Sequence, residues 1–110
     1  EGVYIIGCDV DQYDDGANGD ANVILTSGLK VMSINVDRAL TTIADGSFKG
    51  GNVTLGADTD STGYVKESGR CQLSADTITK IDAAYEKVKA GEIVPAANFN
   101  GITPDDFKAE

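Results

Sequence analysis

The run Val3-Tyr4-Ile5-Ile6-Gly7-Cys8 constrains this chain more than any other stretch. It is apolar without a polar alternation and rich in β-branched and aromatic side chains. That pattern belongs to a strand buried on both faces, as in a parallel sheet. Parallel strands need helical cover on each side, so the fold class it predicts is α/β. The run ends in a burst of acid: Asp9, Asp11, Asp14, Asp15 and Asp20 alternate with Gly16, Asn18 and Gly19. Asp and Asn favour their own backbone turns and Gly supplies positive φ, so this stretch reads as a loop.

A short second strand is expected over Asn22 to Thr26. From Leu29 the apolar period changes: Met32, Val36, Leu40 and Ile43 recur at helical spacing, and Gly46 stands where a C′ residue belongs. The spacing predicts a helix of about four turns from Leu29 to Asp45. Asn52-Val53-Thr54-Leu55 reads as a strand, a polar tract covers Gly56 to Gly63, and Tyr64-Val65 is a short extended piece. Ser74 is a good N-cap with Asp76 in the first turn; Ile78, Ile81, Tyr85 and Val88 form one stripe, and Lys87, Lys89 and Gly91 suit a helix end. Glu92 to Pro95 leaves that helix extended, and residues 96–110, with Pro104, read as a loosely packed tail.

So few elements cannot cover both faces of a strand as apolar as Val3 to Cys8. The chain is therefore expected to be one part of a larger doubly wound domain. At 110 residues and 11.4 kDa it is one domain's worth of polypeptide at most. A net charge of −9 and a pI near 4.2 argue against nucleic acid and anionic lipid as partners. With no His and two Cys, a closed zinc site and most hydrolase templates fail on inventory. Cys8 and Cys71 are expected as independent thiols. No apolar run reaches the roughly 20 residues of a membrane helix, and neither a signal-peptide core nor a lipid-attachment Cys opens the sequence. Any export signal is expected outside these residues.

Ligands of open α/β sheets sit at the carboxyl ends of the strands, where an Asp can accept two hydrogen bonds from a vicinal diol. Asp9 falls at that point. The same acids offer an alternative, a small acidic calcium-binding module using the Asp9 to Asp20 loop. It follows the EF-hand outline, yet Tyr13 stands at the fifth position, Asp14 where the sharp turn needs Gly, and Asp20 where a bidentate Glu belongs. Thr26, Ser27 and Lys30 mark a strand-to-helix junction suited to capping or to a polar ligand group. Ser27 and Lys30 also fit Ser-x-x-Lys, an acyl-transfer motif. No G-x-G-x-x-G or P-loop is present.

Five segments together carry more than any one of them. Tyr4-Ile5-Ile6-Gly7-Cys8-Asp9-Val10-Asp11-Gln12, Val23-Ile24-Leu25-Thr26-Ser27-x-x-Lys30, Val36-Asp37-x-Ala39, Asp45-Gly46-Ser47-Phe48-Lys49-Gly50-Gly51 and Ala90-Gly91-Glu92-Ile93-Val94-Pro95 occur in an order and spacing that resembles the C-terminal part of the basic membrane protein family. These are substrate-binding lipoproteins of ABC importers, many of which bind purine nucleosides. The resemblance spans residues 2–95 and implies the C-terminal portion of a type I periplasmic-binding-protein fold, two Rossmann-like lobes closing on a ligand. It puts Val3 to Cys8 in the C-terminal lobe, Thr26-Ser27 at the hinge, the helix from Leu29 in the N-terminal lobe, and a returning strand near Val53. Residues 1–95 would then hold elements of both lobes, with 96–110 as the tail.

By the same likeness, Asp9 of Gly-x-Asp-x-Asp-Gln would bind ribose hydroxyls and Lys30 would contact ligand at the hinge or pair with cleft acids. Asp11, Gln12 and Ser27 are further ligand-binding candidates. Cys8 stands where the family has Val. The implied function is non-catalytic binding of a nucleoside without cofactor, with an ABC permease as partner and an extracytoplasmic, lipid-anchored location in the parent protein. A chain lacking neighbouring strands leaves apolar edges open, so self-association is expected, by exchange of the helix around Met32 to Ile43 between copies.

Overall fold

The computed structural model of the chain describes residues 2–95, and the expected tail at 96–110 lies outside them. The elements run β1 (Ile5–Asp9), a 3-10 turn (Tyr13–Gly16), a hairpin of β2 (Ala17–Asn18) and β3 (Ala21–Asn22), β4 (Ile24–Lys30), α1 (Met32–Ala44), a second 3-10 turn (Ala57–Thr59), β5 (Thr62–Tyr64) and α2 (Ala75–Lys89). Three strands form a mixed sheet in the order β1-β4-β5, with β1 parallel and β5 antiparallel to β4. This is the α/β arrangement that the apolar run and the two helical periods predict.

The small core lies along β4. Ile24 and Val65 are 5% and 2% exposed, and Ala57 is buried beside them. Burying a side chain such as Ile24 or Val65 contributes roughly 1.5–3 kcal/mol. The Thr26 hydroxyl, also buried, donates to the Val65 carbonyl at 2.6 Å, and the Val65 amide donates to the Ser27 carbonyl at 2.9 Å. The chain after β5 is thereby clasped to the middle of β4.

Helix α2 forms as its caps dictate. Ser74 Oγ accepts from the Thr77 amide at 3.2 Å, Asp76 lies in the first turn, and Lys87 and Lys89 lie in the last. Gly91, at φ 75°, allows the Glu92 amide to reach the Lys87 carbonyl at 2.9 Å and its own amide to reach Val88 at 3.0 Å, a Schellman closure. The helix docks by its polar tips: Tyr85 Oη donates to the Thr62 carbonyl at 2.7 Å and Tyr64 Oη to Asp82 Oδ1 at 2.7 Å, while Lys66 Nζ lies 2.9 Å from the same oxygen.

Four expectations are corrected. Strand β4 does not stop at Thr26 but continues to Lys30, so α1 begins at Met32 rather than Leu29. Pairing on both sides carries it on: Cys8 with Gly28 and Asp9 with Leu29 in the parallel register, and Leu29 with Gly63 and Lys30 with Thr62 in the antiparallel one. Neither Thr26 nor Ser27 caps α1, whose start is held instead by the Val31 amide donating to the Ser61 carbonyl at 2.8 Å. Asn52 to Leu55 forms no strand, Val53 being 72% exposed, and the strand returning to the sheet is β5. Finally, β1 is not buried on both faces: it is an edge strand with Ile5 and Ile6 at 53% and 66% exposure, and only Gly7 is buried. Its apolar pattern is that of an interior strand, but among the described residues nothing lies beyond it.

Candidate functional site

Asp9 ends β1 and Lys30 ends β4, and because these strands run parallel their carboxyl ends lie side by side. Lys30 Nζ stands 2.6 Å from Asp9 Oδ1, with both side chains more than half exposed. The Asp9 carboxylate raises the Lys30 ammonium above its ordinary pKa. Asp9 also holds φ at 80°, in the left-handed region, which a non-glycine residue occupies at a cost of order 1–3 kcal/mol. Around the pair, Cys8, Asp9, Gly28, Leu29, Lys30 and Gly63 line an open cavity of about 320 Å³. That volume is at the low end of the roughly 300–1,000 Å³ typical of small-molecule sites. A carboxylate acceptor and an ammonium donor on one wall can together grip adjacent hydroxyls, or a group carrying both donor and acceptor.

The other three sequence candidates do not line this cavity. Ser27 is fully buried, and its Oγ accepts from the Gln12 amide at 3.1 Å. Gln12 Oε1 in turn accepts from the Cys8 amide at 2.7 Å. The two side chains close over Gly7, where an added Cβ would stand 2.4 Å from Ser27 Oγ and 3.0 Å from Gln12 Oε1. Asp11 accepts from the Tyr13 amide at 2.9 Å and pairs with Arg70 Nε at 2.7 Å. The Arg70 guanidinium, chiefly through that hydrogen bond, holds the Asp11 carboxyl below its ordinary pKa. Arg70 Nη1 reaches Asp14 Oδ1 at 2.7 Å as well, and its guanidinium lies 5.3 Å from the centre of the Tyr13 ring.

Arg70 is the residue that sequence reasoning missed. No spacing rule links positions 59 residues apart. The available signal was indirect: Arg70 is one of two arginines in a chain dense with acid, and it follows Gly69 in a loop.

Two alternative chemistries meet the geometry directly. The calcium loop is not supported: Asp9 is taken by Lys30 and Asp11 and Asp14 by Arg70, Tyr13–Gly16 is a 3-10 turn, and no cluster of three metal-ligating side chains exists among the described residues. The Ser-x-x-Lys match lies inside β4, where an offset of three puts side chains on opposite faces of the sheet. Ser27 is buried against Gln12 and Lys30 is paired with Asp9 outside, so no nucleophile-base contact forms. Cys8, exposed, and Cys71, partly exposed, are free thiols as expected.

Comparison with known proteins places this geometry in a broader setting. The chain is similar to a protein of Listeria innocua described as a CD4+ T-cell-stimulating antigen, at 36% identity over 97 residues, covering 83% of this chain and 27% of that protein. A protein of the same description from Listeria monocytogenes matches at 35% identity with the same coverage. The chain thus spans about a quarter of the length of these curated relatives. Among solved structures, an ABC-transporter solute-binding protein from Aeropyrum pernix superposes with a TM-score of 0.58 at 21% identity, over 89% of this chain and 34% of that one. The chain has the fold of part of a solute-binding protein. No family model matches it. None of the comparisons names the basic membrane protein family, which remains a resemblance carried by the sequence segments. Among the described residues no helix is long and apolar enough to cross a membrane.

Proposed function

We propose that this chain is the C-terminal part of an extracytoplasmic solute-binding protein that delivers a nucleoside-like ligand to an ABC permease. The observation carrying the reading is the Asp9-Lys30 pair at the carboxyl ends of two adjacent parallel strands, with Asp9 in a left-handed backbone. Asp9 accepts hydrogen bonds from the ligand's vicinal hydroxyls, and Lys30, paired with Asp9 before ligand arrives, donates to the same group. Ser27, Gln12 and Asp11 serve the site by fixing the turn behind it. In this reading α1 belongs to the opposite lobe. No bond of the ligand is broken, and binding favours the closed form that the permease reads. A lipid anchor on the parent protein would keep it at the membrane face.

Calorimetric titration of the full-length protein containing this chain, with purine and pyrimidine nucleosides and free pentoses, tests the proposal. Each charge-assisted hydrogen bond contributes about 1.5–3 kcal/mol, so Asp9→Ala should weaken nucleoside binding by roughly 10- to 150-fold. Absence of heat with every nucleoside would remove nucleoside binding from the reading. Tight binding untouched by Asp9→Ala would move the site elsewhere.

A further inference from the structure

Within the turn Gln12 Oε1 accepts the Cys8 amide at 2.7 Å, and Asp9 between them holds φ at 80°, where a non-glycine residue persists only if its surroundings fix it. The residues that follow it are gripped from outside. Arg70 takes Asp11 through Nε and Asp14 through Nη1, both at 2.7 Å, and its guanidinium lies 5.3 Å from the Tyr13 ring centre. The Asp11 carboxylate in turn accepts the Tyr13 amide. Arginine can do this because its planar fork presents donors in two directions at once, whereas a lysine ammonium is a single point charge.

The loop that carries Arg70 is itself referenced to β4. The Gln72 amide donates to the Leu25 carbonyl at 2.8 Å, Gln72 Nε2 donates to the Ile24 carbonyl at 2.6 Å, and the Val65 amide donates to the Ser27 carbonyl. Strand β4 ends in Lys30. Arg70 therefore ties the turn after Asp9 to the strand that presents the other half of the site. We propose that Arg70 is a positioning residue for the Asp9-Lys30 site: by gripping Asp11 and Asp14 it sets the turn that aims the Asp9 carboxylate at Lys30 and at ligand. This role rests on the proposed solute-binding function for its ligand, but the alignment of Asp9 with Lys30 can be read without one.

The test uses the full-length protein with Arg70→Met, Arg70→Lys, Asp9→Asn and the double variant Arg70→Met/Asp9→Asn. The Lys30 ammonium resonance reports the ion pair, and calorimetry with nucleosides reports affinity. Arg70→Met should move the Lys30 signal toward its position in Asp9→Asn and weaken binding at least about fivefold, Arg70→Lys should restore part of both, and Arg70→Met should cost nothing further in the Asp9→Asn background. A Lys30 signal unchanged by Arg70→Met overturns the proposal, as does an equal loss of affinity with and without the Asp9 carboxylate. If the wild type binds no nucleoside, the functional reading fails, and the Lys30 signal alone decides the role of Arg70.

Discussion

Gly7 shows how much one hydrogen atom decides. Ser27 Oγ and Gln12 Oε1 occupy the space where a Cβ would stand, so Gly7→Ala forces the seam between β1 and the Gln12 turn apart. Overpacking of this kind costs about 1–3 kcal/mol. Chemical denaturation should show that loss, and Gly7→Ala/Ser27→Gly should recover part of it; equal stability of Gly7→Ala and wild type would contradict the close packing. Tyr64 makes a second residue-scale case. Partial burial, and then its hydrogen bond to Asp82, push its phenol up to about 12 from an ordinary 10.0. Because the folded value is the higher one, the neutral phenol's contribution is complete below pH 10.0 and is lost as pH rises through about 12. Phenolate absorbance should show one late-titrating tyrosine that disappears in Tyr64→Phe. Asp11 has the opposite sign: its lowered pKa makes its contribution present above its ordinary 3.8 and lost as acid passes through the lower folded value.

The two helices differ in what holds them. Helix α2 has a side-chain N-cap, basic residues in its last turn and a Schellman end, all legible from Ser74 to Gly91. Ser74→Ala should therefore cost about 1 kcal/mol. That corresponds to a drop of roughly 4–8 °C in Tm for a domain of this size, read by circular dichroism. Helix α1 has no side-chain cap at its N-terminus and no buried residue. A set of polar contacts fixes its first turns instead: Ser61, 2% exposed, donates to Asn35 Oδ1 at 2.8 Å, and Arg38 reaches the Thr59 carbonyl. Its start could not be read from the sequence because Leu29 and Lys30 continue the apolar-polar pattern without a break, and only pairing with β1 and β5 commits them to strand.

At the scale of the whole molecule, the chain buries little of what its sequence offers. Met32, Val36, Leu40 and Ile43 on α1 are each at least 53% exposed, as are Val3, Tyr4, Ile5 and Ile6 at the open edge. An unpaired apolar edge strand is a template for association. The 110-residue chain on its own should sediment as a dimer or larger species, and Leu40→Lys should shift it toward monomer if α1 is the exchanged element. Monomeric mass at high concentration would refute this. The open edge also explains why β1 reads as an interior strand: local composition records how many neighbours a strand is suited to, whereas its actual burial depends on which neighbours are present.

The sequence by itself determined the α/β class, a first strand running to Cys8, the span and both caps of α2, and the turn chemistry of the acidic loop, because these follow from hydrophobic period, capping residues and glycine conformations within a few positions of one another. It also marked Asp9 and Lys30, through their places in two separate motifs. Only the tertiary structure decided that β4 runs on to Lys30, that these two residues meet at 2.6 Å, that Ser27 turns inward to Gln12, and that Arg70 holds the turn behind them. Each of those depends on strand pairing or on contacts between side chains far apart in the chain, which no local pattern of residues encodes.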